Sequence, residues 1–167
     1  PSSDLHPWAD NLEWPRWRPC APGRLPEYVG LRRAGCGYGP IACALARACS
    51  GSHIVAVDVN DLAIDLTTRN AKALRVGDRV HACRPEEVDP DLRFDEIWSN
   101  PPIRVGKAAL HEILTTWLAR LSDEGVAHLV VGKNLGADSL TSWLCEQGFD
   151  AARVASAKGF RVIDVHA

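Results

Sequence analysis

From Gly35 to the carboxyl terminus, short β-branched apolar runs alternate with longer segments of helical period, and few folds accept that order. His53–Val59 is a nearly continuous apolar run, as expected of a parallel strand covered on both faces. Arg79–Cys83, Asp95–Ser99 and Val126–Val131 are further strand candidates. Between them, Pro40 suits the first turn of a helix that Ile41 to Ala48 continue. Asn60 or Asp61 can cap a second helix, in which Leu62, Leu66, Ala73 and Leu74 recur until Gly77. Leu110, Ile113, Leu114, Trp117, Leu118 and Leu121 form the clearest helical stripe, within Gly106–Leu121. A short helix over Ser139–Gln147 precedes a hairpin, Arg153–Ala157 and Phe160–Val165, turning at Lys158-Gly159. The expectation is an α/β chain: a doubly wound, mostly parallel, seven-stranded sheet closed by an antiparallel hairpin, with its ligand site at the carboxyl ends of the strands.

Residues 1–34 do not share this regularity. They hold Trp8, Trp14 and Trp17 with Pro1, Pro7, Pro15, Pro19, Pro22 and Pro26, and show neither period 2 nor period 3.6, so they read as an irregular amino-terminal arm before a domain over residues 35–167. The chain begins at Pro1 and contains no methionine, which suggests sequence upstream of it. At 167 residues and 46% hydrophobic content there is material for one core. A formal charge of -2 excludes a polybasic binder, so contact with nucleic acid needs a local basic patch.

Cys20, Cys36, Cys43, Cys49, Cys83 and Cys145 include no C-x-x-C pair and no histidine at zinc spacing. They are expected to be reduced thiols serving as small buried hydrophobes in a cytoplasmic protein, with no metal. No apolar run is long enough to span a membrane, and no membrane role is expected. Trp98, Trp117 and Trp143 fall at packing positions, and His111 and His128 look like ordinary helix and strand residues.

Two motifs carry chemistry. Gly35-Cys36-Gly37-Tyr38-Gly39 precedes a helix, where glycines let the backbone turn sharply and approach a ligand. A dinucleotide fingerprint would put its third glycine at Pro40, so a pyrophosphate cradle fits poorly. Asp58, at the end of the next strand, is placed for a ribose diol, and together the two features indicate an adenosine-type ligand. Further on, Asp95–Ser99 runs into Asn100-Pro101-Pro102-Ile103. The prolines hold the Asn100 side chain and the Pro101 carbonyl as two fixed acceptors at a strand end. Such a pair can bind both N–H groups of an exocyclic amine and aim its lone pair at an electrophile, with no metal and no covalent intermediate.

These stretches, with Lys133–Leu140 and Lys158–Val165, resemble the class I S-adenosylmethionine-dependent methyltransferases, specifically the small methyltransferase domain of ribosomal-RNA guanine-N2 methyltransferases. The resemblance covers nearly everything after Ala34. It implies S-adenosylmethionine as cofactor, with Gly35, Cys36, Gly37 and Gly39 around its methionine part, Asp58 and Val59 at its ribose, and Glu86 or Glu87 near its adenine. It further implies Asn100, Pro101, Pro102 and Ile103 around the target amine. Arg104 and Lys107 could pair with phosphates beside a flipped base in ribosomal RNA. Lys133 and Asn134 could line the same cleft.

The pattern departs from the family twice. Ile103 stands where many amine methyltransferases carry an aromatic, and where glutamine methyltransferases acting on release factors usually carry tyrosine. Arg33 replaces the acid expected two residues before the first glycine, so residues 1–34 read as foreign to the family sequence, as a reading-frame error or an altered source upstream of Gly35 would leave. Three readings follow: an RNA guanine-N2 methyltransferase, a methyltransferase of a protein glutamine or small amine, and a noncatalytic RNA-binding or assembly module that has lost its cofactor.

Overall fold

A computed structural model describes the backbone of residues 27–32 and all of residues 36–167 except the Arg104 side chain. The elements, in order, are β1 (Glu27–Arg32), α1 (Pro40–Ala48), β2 (His53–Val57), α2 (Asp61–Ala73), β3 (Val80–Cys83), β4 (Phe94–Asn100), α3 (Lys107–Leu118), β5 (Leu121–Gly132), α4 (Ala137–Glu146), β6 (Asp150–Ala157) and β7 (Phe160–His166). Short 3-10 turns at Pro85–Glu87 and Ile103–Val105 follow β3 and β4.

The expectation of one continuous seven-stranded sheet is corrected in one respect. The strands other than β1 form two blocks, a parallel pair of β2 and β3 and a mixed four-stranded unit in which β4 runs parallel to β5 while β7 pairs antiparallel with β5 and β6. The backbone of β1 is what joins them, parallel to β2 on one side and to β4 on the other, giving the order β3-β2-β1-β4-β5-β7-β6. The order reverses between β1 and β4, and open α/β sheets open a crevice at such a switch.

Glu27–Arg32 lies inside the arm expected to be irregular. A central parallel strand draws its hydrogen bonds from both neighbours, which are distant in sequence, so a segment with little local pattern can still be held there. Residues 1–26, with Trp8, Trp14, Trp17 and Cys20, lie outside the described residues, as do Arg33, Ala34 and Gly35.

Alternation along the strands sends side chains to two cores. Val57, Ile97, Leu129, Val131, Ile163 and Val165 pack with Leu110, Leu114 and Leu118 of α3 and Leu140 and Leu144 of α4. Ile54 and Ala56, on the other face of β2, pack with Ala42, Cys43, Leu45 and Ala46 of α1 and Ala71 of α2. Each large apolar side chain so buried contributes about 1.5–3 kcal/mol, and this burial fixes the register of each strand.

The face of α2 differs from expectation. Leu62 and Leu66 are exposed, and the helix buries Ala63, Thr67 and Ala71 instead. Small residues there let α2 approach the glycine turn closely, which leucines would prevent. β5 begins earlier than expected because an irregularity between Phe94 and Glu96 accommodates Ser122–Gly125, whose polar sequence reads as a turn. Trp117 is buried, while Trp98 and Trp143 are half-buried.

Cys36, Cys43, Cys49 and Cys83 are buried, whereas Cys145, expected in the core, is exposed on α4. Burial pushes the Cys83 thiol up to about 11, helped by the nearby Glu87 carboxylate and Cys36. Thiolates react and buried thiols do not ionise, so in native protein titrated with an aromatic disulfide at pH 8, Cys145 should be modified fastest of these five. Mass mapping of the labelled peptides checks the order, and rapid labelling of Cys83 would contradict the packing.

Candidate functional site

The site is built around Asp58, the residue after β2. Its carboxylate is buried, with 7% of the residue exposed. One oxygen accepts from the Gly37 N–H at 2.9 Å and the other from the Asn60 N–H at 2.9 Å. A single side chain thus ties the glycine turn, the end of β2 and the start of α2 together. The Asp58 N–H donates to the Cys83 carbonyl at 3.1 Å, which fixes the strand end against β3. Asn60 caps α2 by accepting from the Leu62 N–H at 3.0 Å.

The glycine turn is anchored to α2 as well. The Thr67 hydroxyl donates to the Gly37 carbonyl at 3.1 Å and lies 3.2 Å from the Cys36 sulfur. The Asn70 amide donates to the Tyr38 carbonyl at 2.7 Å. Gly39, the N-cap of α1, has φ +79°, and a Cβ there would stand 2.7 Å from the Thr67 methyl carbon. Glycine is therefore required at this position by conformation and by space. Burial, together with the Asp58 charge, holds the Cys36 thiol above its ordinary range despite the Thr67 hydrogen bond, so Cys36 is a wall of the turn and not a nucleophile.

The second half of the site lies at the end of β4. β1 pairs Leu31 with Val57 and Arg32 with Asn100. Asp58, one residue beyond Val57, consequently stands level with Asn100 and two strands away, about 10 Å at ordinary strand spacing. Pro101 and Pro102 are buried and Asn100 is half-buried. Among the described residues the Asn100 side-chain amide has no hydrogen-bond partner. Pro102 has φ -78° and ψ 70°, and the Ile103 N–H donates to the Pro101 carbonyl at 2.9 Å. This is an inverse γ-turn, and it occupies one of the two lone pairs of the Pro101 oxygen while leaving the other free. Ile103 packs against the α3–α4 core.

The remaining candidates are more dispersed. Val59 is exposed beside Asp58. Glu86 sits on the turn after β3, exposed, with the Arg84 guanidinium 3.9 Å away. Glu87 accepts from the Arg84 N–H at 2.7 Å, and Arg84 also pairs with Asp61 at 2.6 Å. Lys107 opens α3 after Gly106, exposed, with no acidic residue in that first turn. A cation at a helix amino terminus opposes the helix dipole, so Lys107 is not there for helix stability. Gly35 and the Arg104 side chain fall outside the described residues.

One arrangement escaped the sequence reading. His128 Nδ1 lies 2.7 Å from an Asp164 oxygen, and its ring contacts Trp98 at 4.3 Å between centroids. Trp98 in turn donates its indole N–H to Glu96 at 2.8 Å. No sequence spacing joins these residues, because they come from three strands.

The donor set fits an adenosine-type cofactor. An ionised carboxylate offers about four lone-pair sites, and Asp58 spends two on backbone N–H groups, leaving two for the hydroxyls of a ribose diol. Among the described residues no group of His, Cys, Asp or Glu could hold a metal ion. No helix among them is long and apolar enough to cross a membrane.

Comparison with known proteins is consistent with this geometry. The sequence model of the methyltransferase small domain matches residues 32–164. An uncharacterized protein of Bacillus subtilis (strain 168), YbxB, is 33% identical over 137 residues, which span 80% of this chain and 68% of that protein. A release factor glutamine methyltransferase of Rhodopirellula baltica is 35% identical over 85 residues, 49% of this chain and 28% of the relative. Among solved structures, the T. Thermophilus 16S rRNA N2 methyltransferase, in complex with AdoMet and guanosine, superposes with a TM-score of 0.68 at 26% identity, over 86% of this chain and 38% of that one.

Gly39→Ala tests the cradle. Forcing alanine into left-handed backbone costs about 1–2 kcal/mol, and the clash with Thr67 adds to it. Urea unfolding should show that loss, and combining the change with Thr67→Ser, which removes the methyl group, should recover part of it. Additive losses in the double variant would mean that the two residues do not touch.

Proposed function

The chain belongs to the methyltransferase small domain family, and from that premise we propose that it transfers a methyl group from S-adenosylmethionine to the exocyclic N2 of a guanine in ribosomal RNA. The observation that carries this reading is the pairing of two pre-formed features on one sheet edge: a buried Asp58 with two free lone-pair sites, and level with it the open acceptors of Asn100 and Pro101.

The residues would act as follows. Gly37 and Gly39, with Gly35 by resemblance, keep the turn bare of side chains so that the cofactor's methionine end can approach the backbone, and Cys36 closes the turn from behind. Asp58 accepts from the ribose hydroxyls, with Val59 alongside, and Glu86 lies toward the adenine. S-adenosylmethionine, when bound, supplies an electrophilic methyl group. Asn100 Oδ1 and the free lone pair of the Pro101 carbonyl accept the two N–H groups of the target amine. Each such bond contributes only about 1 kcal/mol net, so the larger gain is orientation: the lone pair of the amine is held toward the methyl group. Because Pro101 and Pro102 fix the backbone, little reorganisation is needed as the substrate arrives. The proton released by the methylated amine leaves to water.

RNA is favoured over a protein glutamine by three observations. Ile103 stands where glutamine methyltransferases acting on release factors usually carry tyrosine, Lys107 offers an exposed cation with no acidic residue in its helix turn, and the superposition on a 16S rRNA N2 methyltransferase reaches 26% identity. We propose a cytoplasmic location as well, a reading that the reduced thiols support. The chain spans 28% of the release factor glutamine methyltransferase and 38% of the solved rRNA enzyme. A noncatalytic RNA-binding role is the second reading, favoured by Arg33 in place of the acid expected two residues before the first glycine.

Calorimetric titration of the chain with S-adenosylhomocysteine tests the cofactor half. Micromolar binding is expected, with a loss of about tenfold to 100-fold in Asp58→Ala, the range for hydrogen bonds to a charged group. A folded chain that does not bind would overturn the enzymatic reading in favour of the noncatalytic one.

A further inference from the structure

The β6–β7 hairpin tip is built in a way that stability alone does not explain. Ala157 pairs with Phe160 across a two-residue turn in which Lys158 has φ 48° and Gly159 φ 84°. Both central residues are left-handed, a type I′ turn, whose first position favours asparagine, aspartate or glycine. Lysine there is strained, and strained non-glycine residues cluster at functional sites. The tip is also pinned, since the Lys133 N–H donates to the Gly159 carbonyl at 2.7 Å.

Next to the strained lysine stands an exposed aromatic. Phe160 is 49% exposed and pairs with Gly132, which has no side chain to cover it. Leu135, 43% exposed, fills the space a Gly132 Cβ would take. Phe160 lies on the same sheet face as Asn100. Along β7 it alternates with Val162 and Asp164, Asp164 contacts His128, His128 contacts Trp98, and Asn100 follows Trp98 by two residues in β4. By register, Ser99 faces Leu129 and Val130 faces Val162, so Phe160 stands about 12 Å from Asn100, two strands across and two residues further toward the carboxyl edge.

Charge along this edge is divided. Asp61, Asp65, Glu86 and Glu87 lie on the β2–β3 side, where Arg69 and Arg84 pair with Asp65 and with Asp61. On the β5–β7 side Lys133 and Lys158 are exposed and have no acidic partner among the described residues, and Asp138, the nearby carboxylate of α4, is engaged by Arg161.

We propose that this tip is an RNA-gripping station for the substrate strand: the Lys133 and Lys158 ammonium groups hold backbone phosphates, and the Phe160 ring stacks on a base flanking the one held at Asn100. The assignment rests on the RNA reading above. It accounts for an overall negative chain binding a polyanion through one local patch, and for a half-exposed aromatic beside lysines.

Fluorescence anisotropy of the full chain with a short fluorescein-labelled single-stranded oligo(GA) RNA, across a salt series, tests it. Lys133→Ala with Lys158→Ala should weaken binding about tenfold or more and reduce the salt slope by about 1.4, or about 0.7 per phosphate contact. Phe160→Ala should weaken binding about tenfold with the slope unchanged, and Phe160→Trp should restore it. Lys158→Gly separates function from folding: glycine adopts this φ freely, so Tm should rise while RNA affinity falls. S-adenosylhomocysteine binding should be the same in all variants, which keeps this test distinct from that of the methyltransferase reading. Unchanged affinity in the variants, or no RNA binding by a wild-type chain that binds S-adenosylhomocysteine, would overturn the proposal.

Discussion

The buried carboxylate of Asp58 holds two backbone N–H groups, those of Gly37 and Asn60, and the architecture of the cleft follows from that pair of bonds. Charge-assisted bonds of this kind are about twice as strong as neutral ones, and a buried carboxylate without them would be costly. They fix the glycine turn over the end of β2 and start α2 at Asn60, and α2 then supports the turn from beneath through Thr67 and Asn70. The carboxylate keeps two further lone-pair sites beyond those two bonds. The residue that organises the local fold is thus the residue expected to hold the ribose.

The opposite wall of the cleft follows a different rule. Its rigidity comes from covalent geometry, since two consecutive prolines restrict the backbone before any ligand arrives. The inverse γ-turn at Pro102 adds a constraint, committing one lone pair of the Pro101 carbonyl to the Ile103 N–H. Asp58 and Asn100 stand level because β1 registers both β2 and β4, which makes an unremarkable strand the element that sets their separation.

Much of this was legible in the chain itself, for local reasons. Gly39 and Pro40 announce the turn and helix start, Asn60 the cap of α2, and the Asn100-Pro101-Pro102 run the end of β4, because each depends on the backbone preference of one or two residues. β1 was not legible, since its hydrogen bonds come from strands distant in sequence. The buried face of α2 was misjudged because Thr67, a polar residue, is chosen for its contact with the Gly37 carbonyl, whereas the apolar spacing of Leu62 and Leu66 points to solvent. The His128–Asp164 contact and the shared face of Phe160 and Asn100 depend on register between strands, which no single segment encodes.

The central claim is methyl transfer to an exocyclic amine held by Asn100 and Pro101, and the most direct measurement is incubation with methyl-labelled S-adenosylmethionine and unmodified ribosomal RNA, followed by nucleoside digestion and mass analysis. The account predicts label in N2-methylguanosine, abolished in an Asn100→Ala variant that still binds S-adenosylhomocysteine. Label in a protein glutamine or in another nucleoside, or full transfer by the Asn100→Ala variant, would contradict it.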